Sequence, residues 1–118
     1  MTRYEMIRLF VLNEIADDYE AAAHIREGVI DIGRRCGIRI ETIDINHAIV
    51  DLVRRGWAKV YDVWKDPVKE VTTLLRADGT DQYYYFITQA GREIQSSSGW
   101  WPFDDEGAVL PDWSPPAG

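Results

Sequence analysis

TIDINHAIVDLVRRGWAKVYDVW, residues 42–64, changes its period in the middle, and that change decides the fold. Up to Arg55 the apolar residues Ile45, Ala48, Ile49, Leu52 and Val53 recur at three- and four-residue steps, the stripe of an amphipathic helix. Thr42 is the expected N-cap, with Asp44 in the first turn and Arg54 and Arg55 in the last to complement the helix dipole. Gly56 closes the helix. From Trp57 to Trp64 the residues turn β-branched or aromatic with alternating character, which predicts a strand.

Reading outward from this stretch, Ala22, Ile25, Val29, Ile32 and Cys36 give the clearest helical spacing in the chain. They predict a second helix running to about Cys36, with Asp17 and Asp18 available to cap its start and Gly37 suited to the left-handed position after its end. Gly28 and Gly33 weaken that helix or let a neighbour approach closely. Tyr4 to Ala16, with Met6, Ile7, Phe10, Val11 and Ile15 in phase, predicts a first helix. Downstream, Asp66-Pro67 ends the strand, because proline has no N–H for a sheet ladder. Val68 to Leu75 mixes signals and is read as a short helix or turn; Asp78-Gly79 is a turn, and Tyr83 to Ile87 a strand. Thr88 is expected to cap a last helix through Ile94. The run Ser96-Ser97-Ser98-Gly99 suggests a boundary, dividing the chain into a body, residues 1–97, and an acidic, Trp- and Pro-rich tail, residues 98–118.

The bulk properties fit one α+β domain with one core. A chain of 118 residues, 46% hydrophobic and 28% charged, is globular in composition and too short for two ordinary domains. Cys36 has no second cysteine to pair with, which points to a reducing compartment. The charges that interrupt the apolar start of the chain argue against a secretory signal, and no run is long enough to span a bilayer. A cytoplasmic protein is therefore expected. The net charge of −7 opposes a phosphate-binding role in general, since such binding draws on Lys and Arg that displace counterions. The acidity is uneven, however: before Ser96 lie 13 basic and 16 acidic residues, and the remaining 4 acids sit in the tail. A local basic patch on the body is compatible with that balance.

Two segments carry a resemblance. Ala48-Ile49-Val50-Asp51-Leu52-Val53-Arg54-Arg55-Gly56-Trp57 looks like a recognition helix turning through glycine into a β wing. Phe86-Ile87-Thr88-Gln89-Ala90-Gly91 is similar to the aromatic-x-Thr-x-x-Gly that leads out of the wing in many bacterial regulators. In this order, across residues 26–95, the chain resembles the winged helix-turn-helix family, which implies a three-helix core with a small antiparallel β wing. The resemblance further implies a DNA-binding, regulator-like function, with the third helix in the major groove and the wing and second helix on phosphates. Carried onto this sequence, the nucleic-acid-binding set is Arg34, Arg35 and Arg39 around the turn into the third helix, Asn46 and His47 on it, and Lys69 in the wing. Glu41, Asp44 and Asp51 lie in the same region and would repel phosphate. They motivate the alternative, a winged-helix scaffold used for protein–protein interaction or dimerisation without DNA.

Nothing in the pattern points to catalysis, a cofactor or a metal. Glu20, His24, Glu27 and Asp31 share one helix face, and Asp44, His47 and Asp51 another; both read as wet polar faces opposite clean apolar stripes. Cys36 extends an apolar stripe and is expected to be a buried thiol. No phosphate loop, dinucleotide fingerprint or serine elbow is present. The tail is too apolar to be a solubilising one. Trp100, Trp101, Phe103 and Trp113 are expected either to fold back over the body or to contact a partner, a second copy of the chain included.

Overall fold

The structure, a computed structural model, describes residues 1–73 and 75–116. Among these are α1 (Arg3–Glu14), β1 (Glu20–Ala21), α2 (Ala22–Arg35), α3 (Thr42–Arg54), β2 (Ala58–Asp62), β3 (Lys69–Val71), β4 (Tyr84–Ile87) and α4 (Gln89–Ser98), with a 3-10 turn at Ala77–Gln82. The class is α+β: a helical layer against a small antiparallel sheet of four strands in the order β1-β4-β2-β3.

Helix α1 is the centre of the core. Its N-cap is Thr2, whose Oγ1 accepts the Glu5 N–H at 3.2 Å. The expected stripe Met6, Ile7, Phe10, Val11 and Ile15 is buried, and so are Leu9 and Leu12, which leaves only Tyr4, Glu5 and Asn13 exposed along the helix. A helix buried on nearly every side needs partners on every side. Helices α2, α3 and α4 supply three of them, and the tail rings close over Phe10. Helix α2 buries Ala22, Ile25, Val29 and Ile32 as its spacing requires, and Gly37 ends it in the left-handed region at φ 76°. Cys36, at the C-cap, is half-buried rather than fully buried; its burial still pushes the thiol pKa up.

In the sheet, Val60 and Tyr85 face the core across a β2–β4 ladder that runs from Ala58↔Ile87 to Tyr61↔Tyr84. Two elements differ from expectation. Val68–Leu75 is not a helix: Lys69–Val71 forms strand β3 against β2, with Val71 opposite Val60, while Leu74 lies outside the described residues. The helical spacing of Val68, Val71 and Leu75 is coincidental, since Val68 is exposed and only Val71 and Leu75 pack inward. The second difference is β1, two residues that pair with β4 before α2 begins at Ala22. Asp18 spends its carboxylate on the Tyr19 N–H instead of capping the helix. At the other end, α4 runs past Ile94 to Ser98 and stops at Gly99, φ 57°. Thr88 caps it as expected, accepting the Gly91 N–H at 3.1 Å. For α3 the N-cap is Glu41, one residue before Thr42, with no side-chain cap bond.

Candidate functional site

Helix α3 is held on both flanks, and its polar side chains are largely used in holding it. From α2, Arg26 reaches across: its Nη1 donates to Asn46 Oδ1 at 3.1 Å and its Nη2 to Asp81 Oδ1 at 2.6 Å. Thr80, buried in the 3-10 turn, directs its hydroxyl at the same Asn46 oxygen at 3.5 Å, and its carbonyl accepts the Tyr85 phenol at 2.7 Å. That phenol is buried, and burial drives its pKa far above the tyrosine range. Asn46 is thus the joint that ties α2, α3 and the 3-10 turn. On the opposite flank, Arg8 of α1 and Arg55 both donate to Asp51 Oδ2 at 3.0 Å, and Arg3 lies 4.0 Å from Asp44. The acids of α3 are therefore countered by arginines from α1 and from its own end.

The other residues singled out from the sequence separate into two groups. Arg34 and Arg39 line one shallow depression beside Ile38 at the turn into α3. Arg39 pairs with Glu41 at 2.8 Å, but both side chains are well exposed and such a pair contributes little. Arg35 faces away from that turn: it donates to the Gly107 carbonyl at 2.8 Å and stacks over the Phe103 ring at 4.3 Å. His47 is exposed on α3, one turn after Ile43, which is 61% exposed. Lys69 is exposed on β3, at the edge of the sheet.

The tail is packed within the chain. Trp100 and Trp101 stand 5.9 and 5.7 Å from the Phe10 ring, Trp113 lies 6.1 Å from Trp100, and Phe103 lies 6.0 Å from Trp101. Asp104 closes the turn beneath Phe103, its Oδ1 accepting the N–H groups of Glu106 and Ala108. Phe10 is fully buried, and Trp100 and Trp101 are the tail rings that pack on it. The Trp113 indole N–H is buried and has no acceptor among the described residues.

What the sequence reading missed is the tip of the β2–β3 hairpin. Trp64 is 82% exposed there, beside exposed Val68, Lys65 and Asp66. The tip is shaped locally: Asp62 Oδ1 accepts the Trp64 N–H at 3.1 Å. The signal was present, since a tryptophan immediately ahead of Lys-Asp-Pro sits where the chain must turn, and a turn at a strand end has no sheet above it.

Among the described residues no group of three or more His, Cys, Asp or Glu is arranged to hold a metal ion. Likewise, no helix is long and apolar enough to cross a membrane. Comparison with protein-family models, with curated proteins and with solved structures finds no match for the chain.

Proposed function

We propose that the chain is a winged-helix module that works by binding another protein, with the hairpin tip as its anchor. Three helices followed by an antiparallel hairpin support the scaffold, and the observation that carries the function is Trp64. An indole left in water at the end of a hairpin is a large unburied apolar area. Enclosing it in a partner would contribute on the order of 4 kcal/mol, and tryptophan is the residue most enriched in interface hot spots. Lys65 and Lys69 flank it with exposed ammonium groups, and Asp66 and Glu70 with exposed carboxylates. The fitting partner surface is an apolar socket with side chains of both charges at its rim. The internal use of Asn46 and Arg35 favours this reading over a base-reading α3, because each would have to leave hydrogen bonds within the fold to contact DNA.

A second reading keeps DNA as the partner, through the backbone alone. Arg34, Arg54, Lys65 and Lys69 are exposed and make no ion pair among the described residues, so they are available to phosphates. Two measurements separate the readings. The first is anisotropy of a labelled random duplex. Protein binding predicts no saturable signal even at low salt, and micromolar binding that falls steeply with salt and vanishes in Arg34→Glu plus Lys69→Glu would overturn it. The second places a photoreactive phenylalanine analogue at position 64 in cells, with position 93 as the exposed control. Protein adducts at 64 and not at 93 are expected, and equal labelling at both positions would count against the anchor.

A further inference from the structure

A cleft of about 590 Å³ opens between α1, α4 and the chain entering β2, away from the hairpin tip. Its floor is apolar: Leu9 and Leu12 from α1, Trp57 ahead of β2, and Ile94 from α4. Its charged lining is Arg8 and Arg55 against Glu5. Both arginines point one N–H at the same Asp51 oxygen, and Asp51 itself does not line the cleft. A guanidinium has five N–H donors in a fixed fork, so one shared carboxylate oxygen leaves most of the ten unused. The Arg8 side chain is 17% exposed and lines the cleft, so its spare donors stand within reach of a ligand there. Arg55 sits over the Trp57 indole, 5.0 Å from its centroid, which keeps the guanidinium beside the apolar floor.

We propose that this cleft binds a small amphipathic monoanion, a carboxylate carried on an aromatic or medium-chain apolar body. The carboxylate takes the free N–H groups of Arg55 and Arg8, and the body covers Leu9, Leu12, Trp57 and Ile94. The volume lies within the usual range for small-molecule sites, about 300–1,000 Å³. On the lining Arg8 and Arg55 face Glu5, and behind it they share Asp51, so these four charges balance and leave no surplus to hold a dianion. A singly charged head group matches that field better than a phosphate dianion. The cleft shares no lining residue with the hairpin tip.

The test is titration of the whole chain with 1-naphthoate, in parallel with its neutral analogue 1-naphthalenemethanol, followed by ¹H–¹⁵N correlation spectra. Saturable shifts confined to Leu9, Leu12, the Trp57 indole and Ile94 are expected for naphthoate. Binding about tenfold weaker is expected for the alcohol, and likewise for naphthoate with Arg55→Gln, as loss of a charge-assisted hydrogen bond dictates. Arg55 is exposed enough that this variant keeps its fold, which the spectral dispersion reports directly. Ile94→Glu, which sets a carboxylate in the cleft, should abolish binding. Shifts scattered over the surface, no shifts at millimolar naphthoate, or equal binding of acid and alcohol with Arg55→Gln unchanged would each overturn the proposal.

Discussion

Replacing Gly91 with alanine sets two physical effects against each other, and the structure decides the sign. Gly91 sits in the first turn of α4, where alanine is the better helix former by about 1 kcal/mol. A Cβ there, however, would run into the carbonyl oxygen of Trp57 and meet Ile87 Cγ1 at 2.8 Å. That carbonyl has little freedom to move, because it accepts the Thr88 N–H at 3.0 Å while Thr88 Oγ1 donates to the Gly56 carbonyl at 2.6 Å. The helix must therefore back away from the strand, and overpacking of this kind costs about 1–3 kcal/mol. Stretching the Thr88–Trp57 hydrogen bond adds about 1 kcal/mol. After the propensity gain is deducted, Gly91→Ala should destabilise the protein by about 1–3 kcal/mol. In urea unfolding followed by far-UV circular dichroism, the midpoint should fall by roughly 0.7–2 M for a slope of about 1.5 kcal/mol/M. Ala90→Gly, on the exposed neighbour, is the control for propensity alone, with a loss of about 1 kcal/mol. A Gly91→Ala variant as stable as the parent or more so would refute the close-approach argument and the reading of the Thr-x-x-Gly segment as a packing device.

Glu14 is held against Gly28 near Glu20 and Asp31, and burial first, then those two carboxylates, raise its pKa above the ordinary value of 4.5. A raised carboxyl pKa favours the protonated form in the fold, so its contribution is present below pH 4.5 and is lost as pH rises through the folded value. Glu14→Gln should accordingly exceed the parent in stability at pH 7, the difference shrinking towards pH 4; denaturant midpoints against pH would expose a gap of the opposite sign. Arg35→Gln removes the guanidinium from Phe103 and weakens the bond to Gly107, at a cost of about 1–2 kcal/mol. Faster proteolysis between residues 104 and 110 with the body intact is expected, and an unchanged cleavage rate would mean that the tail does not depend on this clamp. Asn46→Ala takes one of the two acceptors of Arg26 and the acceptor of the buried Thr80 hydroxyl, and should cost about 1–3 kcal/mol in thermal or urea unfolding. A neutral result would return Asn46 to the free outward residues of α3.

The helices were legible because each carries its instruction within a few residues. The 3-4 spacing from Ala22 to Ile32 needs only one covering surface, and α2 has it; the switch at Gly56 and the Thr88 cap are chemistry between neighbours, so they too appear where the sequence says. Strand β3 was illegible for the opposite reason. Val68, Val71 and Leu75 satisfy a helix template, and only pairing with Val60 on a strand several residues earlier selects the extended form. Two-residue β1 exists solely because β4 offers it an edge.

Function was harder to read than fold, because the sequence shows which side chains are polar and not which are already occupied. Arg34 and Arg35 are adjacent and identical in type, yet the first makes no ion pair among the described residues and the second grips a loop 72 residues away. Asn46 looked outward on a helical wheel until the 3-10 turn, brought back by the β3 crossover, packed against it. By itself the sequence determined composition, charge, the helical periods and the Thr88 cap, all of them local or additive quantities, whereas neither Asp18 nor Thr42 caps the helix it precedes or opens. The tertiary structure decided the assignment of partners: Arg8 and Arg55 to one carboxylate, Trp100 and Trp101 to Phe10, and Trp64 to solvent. Those assignments depend on distances between segments far apart in the chain, which no periodicity encodes.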